Sequence, residues 1–261
     1  MFSFLERSFK KGVILKERYI LQEYIGKGSY GIVYKALDQL NLESVMIKQA
    51  RKRKKQESAG LLEREASMLS SLDHHNIPRC IEYFTEDNKS FLVMEAKKGK
   101  NVEDLIFRDR KIFTEVECLK LFHNVLEIIN YVHSEQVIHR DLRLPNILIN
   151  DKEVSIIDFG LAARFGERLD QYLLQSMPLE RRLYREISVK SDFYALGHFL
   201  LFLLYSDYNP SSRTERSWEE ELSIHPQTKV MIKRLLQLDG CYYDSARDII
   251  SEIESIMGKL K

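Results

Sequence analysis

The sequence predicts an α+β, bilobal fold: a small antiparallel sheet with one main helix, then a larger, mainly helical part. Three observations carry that expectation. Up to about residue 96 the apolar residues are largely β-branched and aromatic, in short runs, with glycines gathered at one turn. From about Val102 onward apolar residues recur at helical spacing. Between them lies KKGKN, Lys97–Asn101, a polar joint. The expected organisation is an N-terminal extension over 1–18, a first lobe over 19–96 and a second over 97–261.

The elements follow in order. RYILQEYIGKGSYGIVYKAL and SVMIKQA read as strands. SAGLLEREASMLSSLD places Leu61, Leu62, Met68, Leu69 and Leu72 at helical spacing. CIEYFTEDNKSFLVMEA reads as a hairpin turning at EDNK. TEVECLKLFHNVLEIINYVHSE is strongly periodic and opens on Thr114 with Glu117 three residues on, the pattern of a capping box. Two short strands are expected around LPNILINDKEVSIIDFG, and helices after them.

Composition excludes several classes. Apolar residues make up 44% and charged residues 30%, as in ordinary globular chains. A net charge of +1 supplies no global attraction to nucleic acid or acidic membranes. Cys80, Cys118 and Cys241 are odd in number and far apart, which fits neither a disulfide framework nor a zinc cluster and implies a reducing, cytoplasmic setting. MFSFLERSFKKG carries charge by its sixth residue and does not read as a secretory signal. The most apolar run, Phe193–Tyr205, is shorter than the ~20 residues a bilayer needs, so no transmembrane segment is expected and the run reads as a buried helix.

Four motifs carry chemistry. GKGSYG, Gly26–Gly31, lets a backbone approach an anionic group; alone it reads equally as a hairpin turn. A dinucleotide fold needs a helix next, whereas IVYKAL follows as a strand, so a glycine-rich flap over phosphates fits better. Lys48 ends an apolar strand, where a lysine is usually a snorkelling edge residue; here Glu65 on the following helix could reach it, and a lysine so fixed can present its charge to a phosphate. In QVIHRDLRLPNILIN, Asp141 is suited to take a proton from a hydroxyl, Arg143 to sit beside a transferring phosphoryl group, and Asn146 to ligate a metal. In IIDFG, Asp158 follows two isoleucines; a carboxylate there is costly unless paired or on a cation, for which Mg²⁺ with nucleotide phosphates is the natural partner.

In this order the four motifs resemble a eukaryotic-type (Hanks-type) protein kinase domain from about Tyr19 to Met257, most like small soluble bacterial serine/threonine kinases. The resemblance implies a kinase fold and ATP with Mg²⁺, or Mn²⁺ in its place, acting on protein substrates. It implies that Gly26, Gly28 and Gly31 cover the phosphates and that Val33 packs on adenine. Lys48, paired with Glu65, would contact the α- and β-phosphates. Met94 would be the gatekeeper, Glu95 and Lys97 the hinge backbone, and Leu148 the residue under the base. Asp141 would be the catalytic base with Arg143 beside it, and Asn146 and Asp158 the metal ligands. Leu69, Cys80, His139 and Phe159 match its apolar spine, and Asp192 matches the aspartate that anchors the catalytic loop.

The chain departs from that pattern in four places. Met46 stands where alanine is usual, above the adenine. Between Asp158 and Glu180 there is no threonine, and only Tyr172 and Ser176 carry hydroxyls. MPLE replaces Ala-Pro-Glu, and Tyr243 falls where the arginine partner of Glu180 is expected. Glu167 or Asp170 is then expected to pair with Arg140 in place of a phosphate, or the short segment to pack in place unaided; either way activity would need no phosphorylation of this segment. Arg51–Lys55 reads first as a solvated loop, with a nucleic-acid or acidic-partner contact as the alternative. Phe2, Phe4, Leu5 and Phe9 read as packing on the first lobe, with a membrane-surface helix as the alternative. A small-molecule kinase of the same fold and a nucleotide-binding scaffold without activity are the competing functions. Intact His139-Arg140-Asp141 argues against the first; the presence of Lys48, Asp141 and Asp158 argues against the second.

Overall fold

The structure, a computed structural model, describes residues 8–28, 31–51, 55–168, 176–208, 216–238 and 240–260. Contacts divide the chain into two compact units, Met1–Lys97 with Phe159–Leu161, and Lys98–Asp158 with Ala162–Lys261.

In the first unit six strands form one antiparallel sheet: β1 (Ile14–Leu15), β2 (Tyr19–Lys27), β3 (Gly31–Asp38), β4 (Glu43–Ala50), β5 (Cys80–Glu86) and β6 (Lys89–Glu95), in the order β1-β2-β3-β4-β6-β5. The period of two sorts the side chains. Ile32, Tyr34, Ala36, Val45, Ile47, Phe91 and Val93 form one buried cluster with Tyr19 and Leu21. Val33, Met46, Lys48 and Met94 therefore share the other face; Val33 lies opposite Lys48, and Met46 opposite Met94. Helix α1 (Lys55–Ser70) packs on β4, β5 and β6 through Leu62, Ala66 and Leu69. Glu65 falls on that same buried face.

The stretch read as an N-terminal extension contributes β1 and Phe9. The Phe9 ring packs 6.1 Å from Tyr34 and 6.2 Å from Phe91, its N–H donates to the Tyr34 hydroxyl, and Lys89 Nζ sits over it. Phe2, Phe4 and Leu5 lie outside the described residues. Of the basic run, Arg51 is half-buried and α1 already begins at Lys55; residues 52–54, on which the nucleic-acid alternative rests, lie outside the described residues.

The second unit holds helices α2 (Val102–Phe107), α3 (Glu115–Ser134), α4 (Leu179–Arg185), α5 (Val189–Leu204), α6 (Trp218–Glu221), α7 (Pro226–Leu235) and α8 (Ala246–Lys259). Two small sheets accompany them: β7 (Lys100–Asn101) with β9 (Ile147–Asn150) and β10 (Glu153–Ile156), and β8 (Val137–Ile138) with β11 (Ala163–Arg164). Thr114 and Glu117 form the expected capping box on α3. Helix α5 is buried along nearly its whole length, and Gly197 lets α7 approach it: a Cβ there would stand 2.9 Å from Leu235 Cβ and from Leu236 Cδ2. Among the described residues no single helix is long and apolar enough to cross a membrane.

Candidate active site

In the first unit the chemistry centres on Lys48. Its ammonium lies 2.7 Å from Glu65 Oε2, with Lys48 9% exposed and Glu65 2%. A buried ion pair of this kind fixes geometry more surely than it adds stability. The neighbouring strand makes room for it. A Cβ on Gly31 would stand 2.9 Å from Lys48 Cγ and 3.3 Å from Cε, so glycine at the end of the flap clears the lysine stem. A Cβ on Gly26 would meet nothing within 4 Å among the described residues, and Gly28 N–H donates to Gly31 O at 2.9 Å. The three flap glycines thus serve different ends, which their spacing alone does not reveal.

The expected hinge is tied down by its own side chains. Glu95 N–H donates to Arg79 O, and its carboxylate accepts from Arg79 N–H and from Lys97 Nζ. Lys97 Nζ also donates to His75 O at 2.6 Å. Burial alone would raise the Glu95 carboxyl, but Lys97 and the Arg79 N–H hold it below its ordinary value.

In the second unit the loop after β8 hangs from Asp192 on α5. Asp192 is fully buried; its carboxylate accepts His139 N–H at 2.9 Å and Arg140 N–H at 2.7 Å, and lies 2.9 Å from His133 Nε2 on α3. His133 had no distinguishing signal in the sequence beyond its place on the buried face of α3. The His139 ring completes the loop: Nδ1 accepts Asp141 N–H at 3.2 Å, and Nε2 lies 3.3 Å from Ile157 O. Burial pushes the His139 imidazole below its ordinary value, which keeps it neutral.

Asn146 binds the loop to Asp141. Its amide nitrogen donates to Asp141 O at 2.9 Å and to Oδ2 at 3.0 Å, and its backbone carbonyl accepts Ile157 N–H. That leaves Asn146 Oδ1, a hard oxygen donor, for a cation. Asp158, half-buried two residues after β10, carries a carboxylate that could supply a second. No cluster of three His, Cys, Asp or Glu exists among the described residues. Two protein oxygens fit an Mg²⁺ that completes its shell with phosphate and water, not an all-protein cage. Arg140 and Asp158 sit at φ of +63° and +64°, left-handed conformations of the kind that collect at functional sites. Leu148, on β9, pairs with Ser155 and Asn101.

The residue that sequence reasoning missed is Arg185, at the end of α4. Its Nη1 donates to Arg140 O at 2.8 Å and lies 3.3 Å from Asp141 Oδ1. Arg140 answers with two bonds from its guanidinium to Arg185 O, at 3.0 and 2.5 Å. Arg143 Nε flanks the other carboxylate oxygen at 3.3 Å. The contact from Arg185 to Asp141 spans 44 residues, and nothing in a run of arginines marks which one turns inward. Of the expected partners for Arg140, Asp170 lies outside the described residues, while Glu167 accepts Arg164 N–H at 2.8 Å. Glu180 is exposed, and Tyr243, in place of its arginine, is buried and donates to Glu252 at 2.8 Å. We expect Arg185→Ala to lower kcat about tenfold while leaving the KM for ATP unchanged, and Arg185→Lys to fall between, because a lysine keeps the charge but not the fork. Initial rates at saturating ATP decide this.

A family model described as protein kinase domain matches residues 19–257. The chain is 36% identical over 258 residues to the probable serine/threonine-protein kinase YbdM of Bacillus subtilis (strain 168), covering 96% of this chain and 95% of that one. It is 27% identical over 273 residues to serine/threonine-protein kinase B of Synechocystis sp., covering 92% and 47%. Against human NUAK family SNF1-like kinase 1 the identity is 34% over 203 residues, 73% of this chain and 30% of that one.

Proposed function

The chain belongs to the protein kinase domain family, and from that premise we propose that it transfers the γ-phosphoryl group of ATP to serine or threonine hydroxyls of proteins. The family's chemistry uses ATP with a divalent metal; here Mg²⁺, with Mn²⁺ as a substitute, is the ion we assign. The observation that carries the reading is the state of Asp141. Its carboxylate is held by Asn146, Arg143 and Arg185 through three contacts, while a carboxylate offers about four acceptor positions. One position is left for the proton of an incoming hydroxyl.

The remaining roles follow from chemistry. Lys48, kept in place by Glu65, neutralises phosphate charge, under the flap of Gly26, Gly28 and Gly31. Val33, Met94 and Leu148 offer apolar surface to the adenine, and the backbone of Glu95 and Lys97 offers hydrogen bonds. Arg143 stabilises the charge that develops on the transferring group. Asn146 and Asp158 would hold the cation, which when bound draws charge from the phosphate oxygens. A cytoplasmic setting fits the three free cysteines.

Radiolabelled ATP with the purified chain and a generic protein tests the reading. Label on phosphoserine or phosphothreonine is expected, and label appearing only on small molecules overturns it. Binding can be read separately. At a hundredfold excess of Mg–ATP over its dissociation constant, linkage gives about 2.7 kcal/mol, a rise in Tm of roughly 5–10 °C for a chain of this size. ATP or Mg²⁺ alone should give less, and a melting curve unmoved by Mg–ATP would favour an inactive scaffold.

A further inference from the structure

Beside Asp141 the second unit carries a cavity of about 200 Å³. Its walls are Leu142, Leu144 and Pro145 from the loop, Phe107 at the end of α2, and Phe199 and Phe202 on α5. Two of these rings are left open to solvent, Phe107 at 56% and Phe202 at 49% exposure. An apolar cavity of about 150 Å³ holds a benzene ring, so this one has room for a single aromatic side chain. His198 also lines it, stacked on Tyr184 with ring centroids 5.4 Å apart. His198 Nε2 is buried and meets no hydrogen-bond partner among the described residues, a cost that a guest with a polar rim would relieve.

The position of the cavity names the guest. Arg143 is at once part of its wall and 3.3 Å from the Asp141 carboxylate, and Leu142 is the residue next to Asp141. A polypeptide that brings its hydroxyl to Asp141 and runs on past Arg143 therefore meets this cavity. About four residues of extended chain, some 13 Å, cover such a path. The lining is apolar apart from Glu103, Arg143, His198 and the hydroxyl of Tyr184, which suits a ring better than a charged side chain.

We propose that this cavity is a specificity subsite for an aromatic side chain of the protein substrate, lying within about four residues of the phosphorylated hydroxyl. The proposal rests on the phosphotransfer reading above and names which substrates that reaction selects. The test is a positional-scanning library of serine peptides, with every other position degenerate, assayed with the wild type, Phe202→Glu and Phe107→Glu. Both substitutions fall on exposed rings outside the catalytic machinery, and melting curves check that each variant is folded. The wild type should select Phe, Tyr or Trp over Ala at least fivefold at one position. Each variant should lose that preference while keeping its rate on peptides with alanine there. Label on the library with a flat aromatic scan, or a preference that survives in both variants, overturns the proposal and leaves the phosphotransfer reading intact. A flat scan with different sedimentation of wild type and Phe202→Glu assigns the cavity to a second copy of this chain, which also overturns it. No label on any peptide or generic protein overturns the reading itself, and the proposal with it.

Discussion

Asp158→Asn is expected to reduce phosphoryl transfer by about a thousandfold while leaving the melting temperature nearly unchanged. The size follows from the chemistry: the protein contributes little to phosphoryl transfer beyond positioning and charge stabilisation, and losing one preorganised group costs 10²–10³-fold. Asparagine is the informative substitute because position 158 has φ of +64°, which asparagine tolerates better than alanine. Asp158→Ala should show the same catalytic loss with some added instability. Asp141→Asn should lose activity to a similar degree, since the amide cannot accept the proton. Lys48→Ala is expected to be less clean: it removes the ammonium paired with Glu65, which is only 2% exposed, so stability falls together with rate. Rates beside thermal melts separate these cases. Near-wild-type turnover in Asp158→Asn would sink the assignment of the metal-binding residues.

The second large effect belongs to Asp192, which touches no substrate. Asp192→Ala should cost about 3–5 kcal/mol of stability and abolish measurable activity, because two buried backbone N–H groups and His133 lose one shared acceptor. Asp192→Asn, which keeps one acceptor oxygen, should lose less of each. The pH dependence has a definite sign. Burial alone would raise the Asp192 carboxyl, but His133, His139 and Arg140 N–H hold it below its ordinary value. The unfolded chain therefore takes up that proton at a higher pH than the folded one. The stability Asp192 contributes is present above its ordinary value near 3.8 and is lost as pH falls below it, toward the depressed folded value. His139, held neutral by burial, adds an earlier loss as pH drops below its ordinary value near 6.5. Urea unfolding from pH 8 to pH 2 should show the His139 loss first, below about 6.5, and the Asp192 loss below about 4; a midpoint insensitive to pH over this whole interval would contradict the burial argument.

Much of this was legible from sequence where local pattern and chemistry coincide. The alternation in β3 and β4 places Val33 and Lys48 on one face, the periodicity of α1 brings Glu65 to its buried side, and Thr114 with Glu117 marks the start of α3. The buried Asp192 was legible only through resemblance, since an aspartate in an apolar run does not announce which N–H groups it will meet. Arg185 was not legible at all. Its partners are set by how α4 turns back to the loop, a tertiary event with no counterpart in spacing. The flap glycines were read as freedom for a backbone near phosphate; Gly31 proves to be space for the stem of Lys48, a cross-strand fact set by register. The aromatic cavity escaped for a similar reason, because its walls come from four separate stretches of chain.

The Asp192 anchor also has a consequence for the order in which the chain folds. Its bonds to His139 and Arg140 close loops of 53 and 52 residues, and its contact with His133 one of 59. Closures of that span carry an entropic cost that neighbouring contacts must meet before the bonds form. Helices α3 and α5 can gain their backbone hydrogen bonds early, since those are local. The loop that carries Asp141 has only a few short-range bonds among its own residues, and the Arg140 N–H at its left-handed turn is held by the Asp192 carboxylate. During refolding, helical signal should thus return before catalytic competence, with a lag set by the meeting of α3 and α5.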